Sequence, residues 1–253
     1  MMLNEGGNVF PDVVPFDHAK INDILNKVNS VLRSTGAKAI PIGSTATPAP
    51  GKKSGDMDLI VDQDALASHF DVEDPKQIRK ALRALFDQAG LQTGQSGISV
   101  HARIPTEDAA HQVDIMVVPN AENAAKFHTH TIPQGSPFKG KNKQIAMAYL
   151  AKKNNMLWSP YQGLFGRDSA GKKGEFITHD IDEVAKHLLG PNATAKDLGS
   201  LETMMDALPP EEAQQMLTDL RADKAWSELP KQESLADKQL ARISELMQKM
   251  GER

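Results

Sequence analysis

The chain contains no cysteine, although it is 253 residues long. This absence excludes a disulfide framework and a thiolate zinc site. The sequence also has no apolar run of about 18 residues, which excludes a transmembrane helix. Its first residues lack the basic segment and apolar core that are typical of a signal peptide. Together, these absences predict a cytoplasmic protein that does not enter a membrane.

A strong excess of charge of either sign is absent as well. The chain carries 29 lysines and arginines against 33 aspartates and glutamates, for a net charge of −4. Proteins that grip long duplex nucleic acid usually present a basic surface, so this balance disfavours a processive polymerase. Lysine clusters that could line a phosphate-facing groove occur at residues 52–53, 139–143, 152–153 and 172–173. Solvated helix ends and turns explain each cluster equally well.

Three aspartates lie in apolar segments that are typical of β-strands. Asp56 and Asp58 open the run Leu59–Val61, and Asp114 lies inside residues 113–118. A carboxylate in such a run is costly unless its charge is compensated. Residues i and i+2 of a strand point to the same face, and an aspartate on a neighbouring strand would complete a cluster of hard oxygen ligands suited to Mg²⁺. The alternative interpretation is that these aspartates are solvated residues at strand ends.

An apolar run that ends at Gly43-Ser44 precedes these aspartates. The order of glycine-serine, a spacer, Asp-x-Asp and a third aspartate on an adjacent strand resembles the signature of the nucleotidyltransferase superfamily. Within that superfamily, the segment Gly55-Asp56-Met57-Asp58 is most similar to the X-family DNA polymerases, the DNA polymerase β type. Each element alone is common, and the specificity lies in their joint order.

A second likeness to these polymerases lies downstream. Gly135-Ser136 is followed by a helical pattern that ends near residues 152–153, and then by Gly163-Leu164-Phe165. Gln134 replaces the threonine that the family usually has, and the spacing after the glycine-serine pair is a few residues longer. The likeness covers roughly residues 17–190. It favours a catalytic palm and the subdomain that follows the palm in the family.

The resemblance implies an α+β fold, in which a nucleotidyltransferase palm, a mixed β-sheet with helices on one face, precedes a helical C-terminal region. It also implies two Mg²⁺ ions, or Mn²⁺ in their place. On the family pattern, Asp56 and Asp58 bind both ions, whereas Asp114 binds only the ion nearest the acceptor hydroxyl. Gly43 and Ser44 bind the β- and γ-phosphates of an NTP, through a turn in which glycine lets the phosphate approach closely.

The phosphate-binding residues depart from the family pattern at one place. X-family polymerases usually carry an arginine just after the glycine-serine pair, whereas this chain has Thr45–Pro48 there. Lys52 or Lys53 is the candidate replacement, as a point charge rather than a bidentate fork. Gly135 and Ser136 are expected to complete the nucleotide-binding set.

Hydrophobic periodicity and cap residues predict the order of the elements. Helices are expected at residues 17–36, 74–90, 141–153 and 178–189, then from Pro209 and at residues 236–250, and strands at residues 38–42, 56–61, 97–103 and 112–118. Residues 156–178 are expected to form a loop with short strands. We therefore expect a palm at residues 1–120 and a thumb-like acceptor- and nucleotide-binding subdomain at residues 121–195. A helical appendage at residues 196–253 is a candidate for self-association.

The expected reaction transfers an NMP from an NTP to an acceptor hydroxyl and releases pyrophosphate. A nucleic-acid 3′ end is the favoured acceptor, because the likeness continues into the region that holds the primer terminus in polymerases. A tRNA, a small molecule and a protein side chain are alternative acceptors. A second interpretation is a non-catalytic nucleotide-binding or structural module that keeps the same fold. The presence of all three aspartates favours the enzyme.

Overall fold

A computed structural model describes residues 9–49, 51–128, 131 and 140–222 of the chain. The chain divides into two compact units, residues 1–129 and residues 130–253. The first unit contains Asp56 and Asp58 of the Asp-x-Asp pattern and the third aspartate, Asp114. The second unit contains the segment after Gly135-Ser136. None of the helices within the described residues is long and apolar enough to cross a membrane.

The first unit is built on a mixed five-stranded sheet. The strands of the whole unit are β1 (Phe16–Asp17), β2 (Ile40–Pro41), β3 (Lys53–Ser54), β4 (Asp56–Asp62), β5 (Gln92–Ser96), β6 (Ser99–Pro105) and β7 (Ala110–Val118). Its helices are α1 (Ile21–Leu32), α2 (Gln63–Phe70), α3 (Pro75–Gln88) and α4 (Ala121–His128). The sheet has the order β2-β4-β7-β6-β5, and β1 pairs separately with β3. Strands β4 and β7 are parallel, whereas the other neighbours in the sheet are antiparallel. The expected α+β class is confirmed at this level.

Helices α1, α2 and α3 share one hydrophobic core with the sheet. Because strand side chains alternate between faces, every second residue of β4, β6 and β7 points into this core. Its fully or nearly fully buried members are Ile21, Ile24, Val28, Leu32, Leu66, Ile78, Leu82 and Phe86 from the helices, and Met57, Leu59, Val61, Val100, Ala102, Ile104, Val113, Ile115 and Val117 from the strands. Burial of each such large side chain stabilises the fold by roughly 1.5–3 kcal/mol. The intervening strand residues, which include the aspartates, point to the other face.

The helix ends follow the predicted caps. Asp17 accepts a hydrogen bond from the N–H of Ala19 at the start of a short 3₁₀ turn that leads into α1, and Gly36 ends this helical segment with φ of 72°. Asp74 caps α3, whose first residue is Pro75. A carboxylate at the N-cap position satisfies N–H groups that have no partner inside the helix, so these two helices begin where the sequence predicts.

Three details of this unit differ from the sequence-based expectations. The strand predicted at residues 38–42 is only two residues long. Helix α2 was not predicted, because it follows β4 directly and buries only Leu66. Strand β5 was also not predicted, since its sequence is polar and it lies at the edge of the sheet, where one side is exposed and no alternating apolar pattern is required. The antiparallel pair expected near residues 97–103 and 112–118 is confirmed as β6 and β7.

The second unit combines helices with a small antiparallel sheet. Its elements are α5 (Gly140–Lys153), β8 (Met156–Ser159), β9 (Gly163–Arg167), β10 (Lys173–Thr178), α6 (Ile181–Leu189), α7 (Leu201–Ala207) and α8 (Pro210–Ala222), and the strand order is β10-β9-β8. The predicted helices at 141–153, at 178–189 and from Pro209 correspond to α5, α6 and α8. Helix α7, which was not predicted, begins at a capping box formed by Ser200 and Thr203. The helix predicted at residues 236–250 lies outside the described residues, and self-association through the appendage at residues 196–253 stays a prediction.

Candidate active site

The three aspartates lie on one face of the central sheet, on two neighbouring strands. Asp58 of β4 is directly opposite Asp114 of β7, and Asp56 is opposite Gln112. In a parallel pair, residues in register point to the same side, and Asp56 shares that side with Asp58 because it lies two positions earlier. The residues between them, Met57 among them, point into the helix-packed core. The sheet therefore presents three carboxylates on the face opposite α1, α2 and α3.

Burial and like charges raise the pKa values of two members of this group, Asp58 and Asp56. Burial, followed by the charges of Asp56 and Asp114, raises the pKa of Asp58 from 3.8 to about 7. The pKa of Asp56 is also raised, first by burial and then by the charge of Asp114, and His101 partly opposes the rise. Both shifts have the same origin, since desolvation and like charges each disfavour the ionised form. A positive charge among the three carboxylates would relieve this cost.

Asp114 is held by two donors at the same oxygen atom. The Nδ1 of His101 lies 2.8 Å from Asp114 Oδ1, and the Nε2 of Gln112 donates to that oxygen at 3.0 Å. His101 is opposite Asp114 in the β6–β7 register and is 5% exposed. Its other ring nitrogen, Nε2, lies 2.7 Å from the Oγ of Ser96. These contacts orient the carboxylate, and both are made at Oδ1 rather than at its second oxygen, Oδ2.

The turn at Gly43 lies beside this group. A side chain added to Gly43 would bring its Cβ to 3.6 Å from Asp58 Oδ2. The N–H of Ile42, just before the turn, donates to the carbonyl of Asp58 at 3.0 Å. Gly43 has φ of 62°, a left-handed conformation that glycine adopts without the cost that other residues have. The structure thus places the turn that contains Gly43 and Ser44 next to Asp58.

Ser44 belongs to a hydrogen-bonded chain of three side chains. Its Oγ lies 3.0 Å from the Oγ of Ser54, and Ser54 Oγ lies 2.8 Å from the Nε2 of His18. The Nδ1 of His18 accepts the backbone N–H of Ala49 at 3.2 Å. Ser44 is exposed, whereas Ser54 and His18 are buried. These hydrogen bonds therefore link the buried His18 to the exposed Ser44 at the turn.

The other candidate nucleotide-binding residues are less closely tied to the aspartates. Lys52 and Lys53 are exposed in the segment that leads into β4, and Lys53 pairs with Asp17 across β1 and β3. No contact between these lysines and the three aspartates is seen within the described residues. Gly135 and Ser136 lie outside the described residues.

The sequence did not indicate His101, Gln112, Ser54 or His18. His101 and Gln112 share the face of Asp114, and an alternating pattern along β6 and β7 is the signal that could have identified them. Their contact with Asp114, however, depends on the register between two strands, which periodicity alone does not define. His18 and Ser54 meet because β1 pairs with β3, and neither strand is long enough to produce a pattern.

The donor set is of the type that binds hard divalent cations. Among the described residues, no group of three or more histidine, aspartate or glutamate side chains is arranged to hold a metal ion with the side chains as they stand. The chemistry of the donors nevertheless fits Mg²⁺, which prefers carboxylate oxygens and retains several waters. Asp56 and Asp58 repel each other and Asp114, and the two donors to Asp114 bind its Oδ1 rather than its Oδ2. The group fits a divalent cation in donor type and in charge.

Comparisons with family models and with curated proteins identify no family for this chain. No model of a known protein family matches the chain, and no curated protein matches it significantly. The likeness to nucleotidyltransferases therefore rests on the motifs of the sequence. Five residues of those motifs, Gly43, Ser44, Asp56, Asp58 and Asp114, lie together in the first unit.

Proposed function

We propose that this protein is a Mg²⁺-dependent nucleotidyltransferase of the DNA polymerase β-like type. It moves an NMP from an NTP to an acceptor hydroxyl, and a nucleic-acid 3′ end is the acceptor that we favour. One observation carries the proposal: Asp58 and Asp114 lie in register on parallel strands, with Asp56 on the same face and the Gly43 turn beside them. A protein with only a structural role has no need for a cluster of carboxylates in which burial and like charges raise the pKa values of Asp56 and Asp58.

Asp56, Asp58 and Asp114 are the residues that would hold the metal. When bound, Mg²⁺ would neutralise the charge on the phosphate oxygens and lower the pKa of the acceptor hydroxyl. The role of the three carboxylates is to hold that cation at a fixed place on the sheet. The raised pKa values of Asp56 and Asp58 support this role, because the burial and repulsion that disfavour their ionised forms favour the binding of a cation.

The triphosphate would bind at the turn of Gly43 and Ser44. The left-handed glycine, which lies beside Asp58, allows the backbone to approach an anion closely, and the next residue, Ser44, is exposed. Lys52 and Lys53, exposed on the segment before β4, are the cations available for the outer phosphates. These residues would provide binding and orientation, which account for much of the catalysis in phosphoryl-type transfer.

Asp114 has the role nearest the acceptor in this proposal. The acceptor oxygen attacks the α-phosphorus, the bond from that phosphorus to the bridging oxygen breaks, and pyrophosphate leaves. The proton of the acceptor hydroxyl goes to Oδ2 of Asp114, the oxygen that His101 and Gln112 do not contact. A carboxylate in this position combines general base catalysis with a fixed orientation.

The proposal is tested by transfer and binding measurements on one pair of variants. The protein is incubated with each labelled NTP, with Mg²⁺ or Mn²⁺, and with mixed RNA and DNA 3′ ends. Asp114→Asn should abolish transfer and leave NTP binding largely intact, because the change removes a group that acts in the transition state. Asp108→Asn, which alters an exposed aspartate paired with Lys20, is the control and should transfer at the wild-type rate.

Two results would refute the proposal. One is a wild-type protein that neither transfers nor binds any NTP in the presence of the metal, as expected of a non-catalytic module. The other is an Asp114→Asn variant that transfers nucleotide at a rate close to that of the wild type. If transfer occurs but no nucleic acid accepts the nucleotide, mass spectrometry of the labelled products identifies the acceptor.

A further inference from the structure

We infer that the buried His18 determines the direction of the hydrogen bonds that end at Ser44, and thereby makes the Ser44 hydroxyl a dedicated donor to an anionic oxygen. His18 is in this view a positioning residue, which acts on the ligand through Ser54 and Ser44. The inference rests on the proposed function, because the anion is taken to be the triphosphate of an NTP. It adds two residues, His18 and Ser54, that no motif in the sequence identifies.

The first step is the tautomer of His18. The backbone N–H of Ala49 points at the Nδ1 of His18 from 3.2 Å. A backbone N–H can only donate, so Nδ1 must offer a lone pair and carry no proton. The proton of the neutral ring therefore lies on Nε2, which faces the Oγ of Ser54 at 2.8 Å. Since the ring is only 2% exposed, water does not compete for either nitrogen.

The second step is the proton of Ser54. The Oγ of Ser54 accepts the hydrogen of His18 Nε2, and its own hydroxyl hydrogen needs an acceptor because the residue is buried. Within the described part of the chain, the recorded polar contacts of this oxygen are with His18 and with Ser44, at 3.0 Å. If Ser44 donated instead, the hydrogen of Ser54 would have no acceptor among these atoms. Ser54 therefore donates to Ser44.

The third step concerns Ser44 itself. Its oxygen already accepts the hydrogen of Ser54, so the arrangement leaves its own O–H to donate outward from an exposed residue, next in the chain to Gly43, which lies beside Asp58. A hydroxyl held in this way favours a ligand oxygen that has lone pairs and no hydrogen, as a phosphate oxygen does. Its preset direction also lowers the entropy lost when the ligand binds. The ligand group that fits is therefore an anionic oxygen, which on the proposed function belongs to the triphosphate of an NTP.

His18 also fixes the loop that carries the candidate lysines. Its backbone N–H donates to the carbonyl of Lys52 at 2.9 Å, while its ring holds the N–H of Ala49. Asp17, the preceding residue, pairs with Lys53 across β1 and β3. The contact with Lys52 is made by the backbone of residue 18, so it remains when the ring is replaced, and we expect the ring to act on the ligand through Ser54 and Ser44.

The tautomer is tested directly in the protein without nucleotide. Long-range ¹H–¹⁵N correlation spectra distinguish a ring nitrogen that carries hydrogen from one that does not. We expect Nδ1 of His18 to be unprotonated and Nε2 to be protonated in the wild type, and Ser54→Ala to leave Nδ1 unchanged. A protonated Nδ1 would overturn the inference, whatever the protein does with NTPs.

The effect on the ligand is tested with a double-mutant cycle. The dissociation constant of a non-hydrolysable NTP analogue with Mg²⁺ is measured by calorimetry for the wild type, His18→Phe, Ser44→Ala and the double variant. Because a hydrogen bond to a charged group is involved, His18→Phe should weaken binding by about tenfold. In the Ser44→Ala background the same change should have an effect of less than about twofold, since coupled residues are not additive. Thermal unfolding of each variant accompanies the measurement.

Two further variants make the outcome unambiguous. His111→Phe is the matched control, because His111 is a buried histidine bonded to the carbonyl of Val14 and to Thr106, and it should leave the affinity unchanged. If His18→Phe does not fold, Ser54→Ala replaces it in the cycle and should weaken binding in the same Ser44-dependent way. Equal losses of affinity on replacement of His18, with Ser44 or Ala at position 44, would overturn this inference but not the proposed function. A wild type that binds no NTP would instead overturn the proposed function, and the spectra would still decide the tautomer.

Discussion

Replacement of Asp58 by asparagine should stabilise the metal-free fold at pH 8. The folded pKa of Asp58 is about 7, raised from 3.8 first by burial and then by Asp56 and Asp114. A carboxyl group whose pKa is higher in the folded than in the unfolded chain contributes stability that is fully present below pH 3.8. That stability is lost as the pH rises through about 7. Asparagine has nearly the same shape and no such loss.

The magnitude follows from the size of the shift. One pKa unit corresponds to 1.36 kcal/mol, so the rise from 3.8 to about 7 amounts to roughly 4 kcal/mol between the two protonation states. This value is an upper bound, because the remaining carboxylates relax when one charge is removed. We expect Asp58→Asn to exceed the wild type by about 1–4 kcal/mol in free energy of unfolding at pH 8. The two proteins should be about equal at pH 4.

Urea unfolding at a series of pH values, with a chelator present, measures this difference. Asp71→Asn is the control, because Asp71 is exposed and has a positive φ, 54°, which asparagine also adopts readily. Mg²⁺ should then raise the stability of the wild type at pH 8 by RT ln(1 + [Mg²⁺]/Kd), or about 2.7 kcal/mol at a hundredfold excess over Kd, and should raise that of Asp58→Asn much less. Parallel pH profiles of the unfolding free energy for the wild type and Asp58→Asn would show that the pKa of Asp58 is not raised in the folded protein.

Three further predictions address single residues. Ser44→Ala should weaken NTP binding by roughly 0.5–1.5 kcal/mol, or up to about 3 kcal/mol for a bond to a charged phosphate, and calorimetry that finds an unchanged affinity would contradict the contact. Gly43→Ala should destabilise the fold by about 1–2 kcal/mol in urea unfolding, because its φ is 62°; Gly55→Ala, at a position with open space, is the control and should cost less. Lys143→Met should gain stability relative to the wild type as the pH falls from about 10.5 to 7, because burial lowers the pKa of Lys143 to about 8 and the lysine's contribution is lost as the pH falls through that value. An equal stability difference at both pH values would exclude a buried charge.

The face that carries the carboxylates could be predicted from the sequence, because it depends on periodicity. The apolar runs around Asp58 and Asp114 indicate strands, and the i, i+2 spacing of Asp56 and Asp58 places both on one side. The cap residues of α1 and α3 likewise act locally, so the starts of these helices follow from a few neighbouring residues.

The partners of the site residues could not be predicted, because they depend on contacts between distant segments. The contact of His101 with Asp114 requires the antiparallel register of β6 and β7, and the sequence does not define how far each strand slides. His18 meets Ser54 through a two-residue strand pair, which is too short to leave a periodic signal. Elements that bury little, such as α2 and β5, could not be predicted either, because their sequences show no clear hydrophobic pattern.

The parallel pairing of β4 with β7 also has a consequence for the kinetics of folding. Asp58 and Asp114 are far apart in the chain, and they meet only when these strands pair directly. Closing such a long loop is slow, since chain entropy is lost before the contacts form. The three carboxylates therefore come together late, and a cation that needs all of them has little to bind in the transition state for folding. Mg²⁺ should then leave the folding rate nearly unchanged and act almost entirely by slowing unfolding.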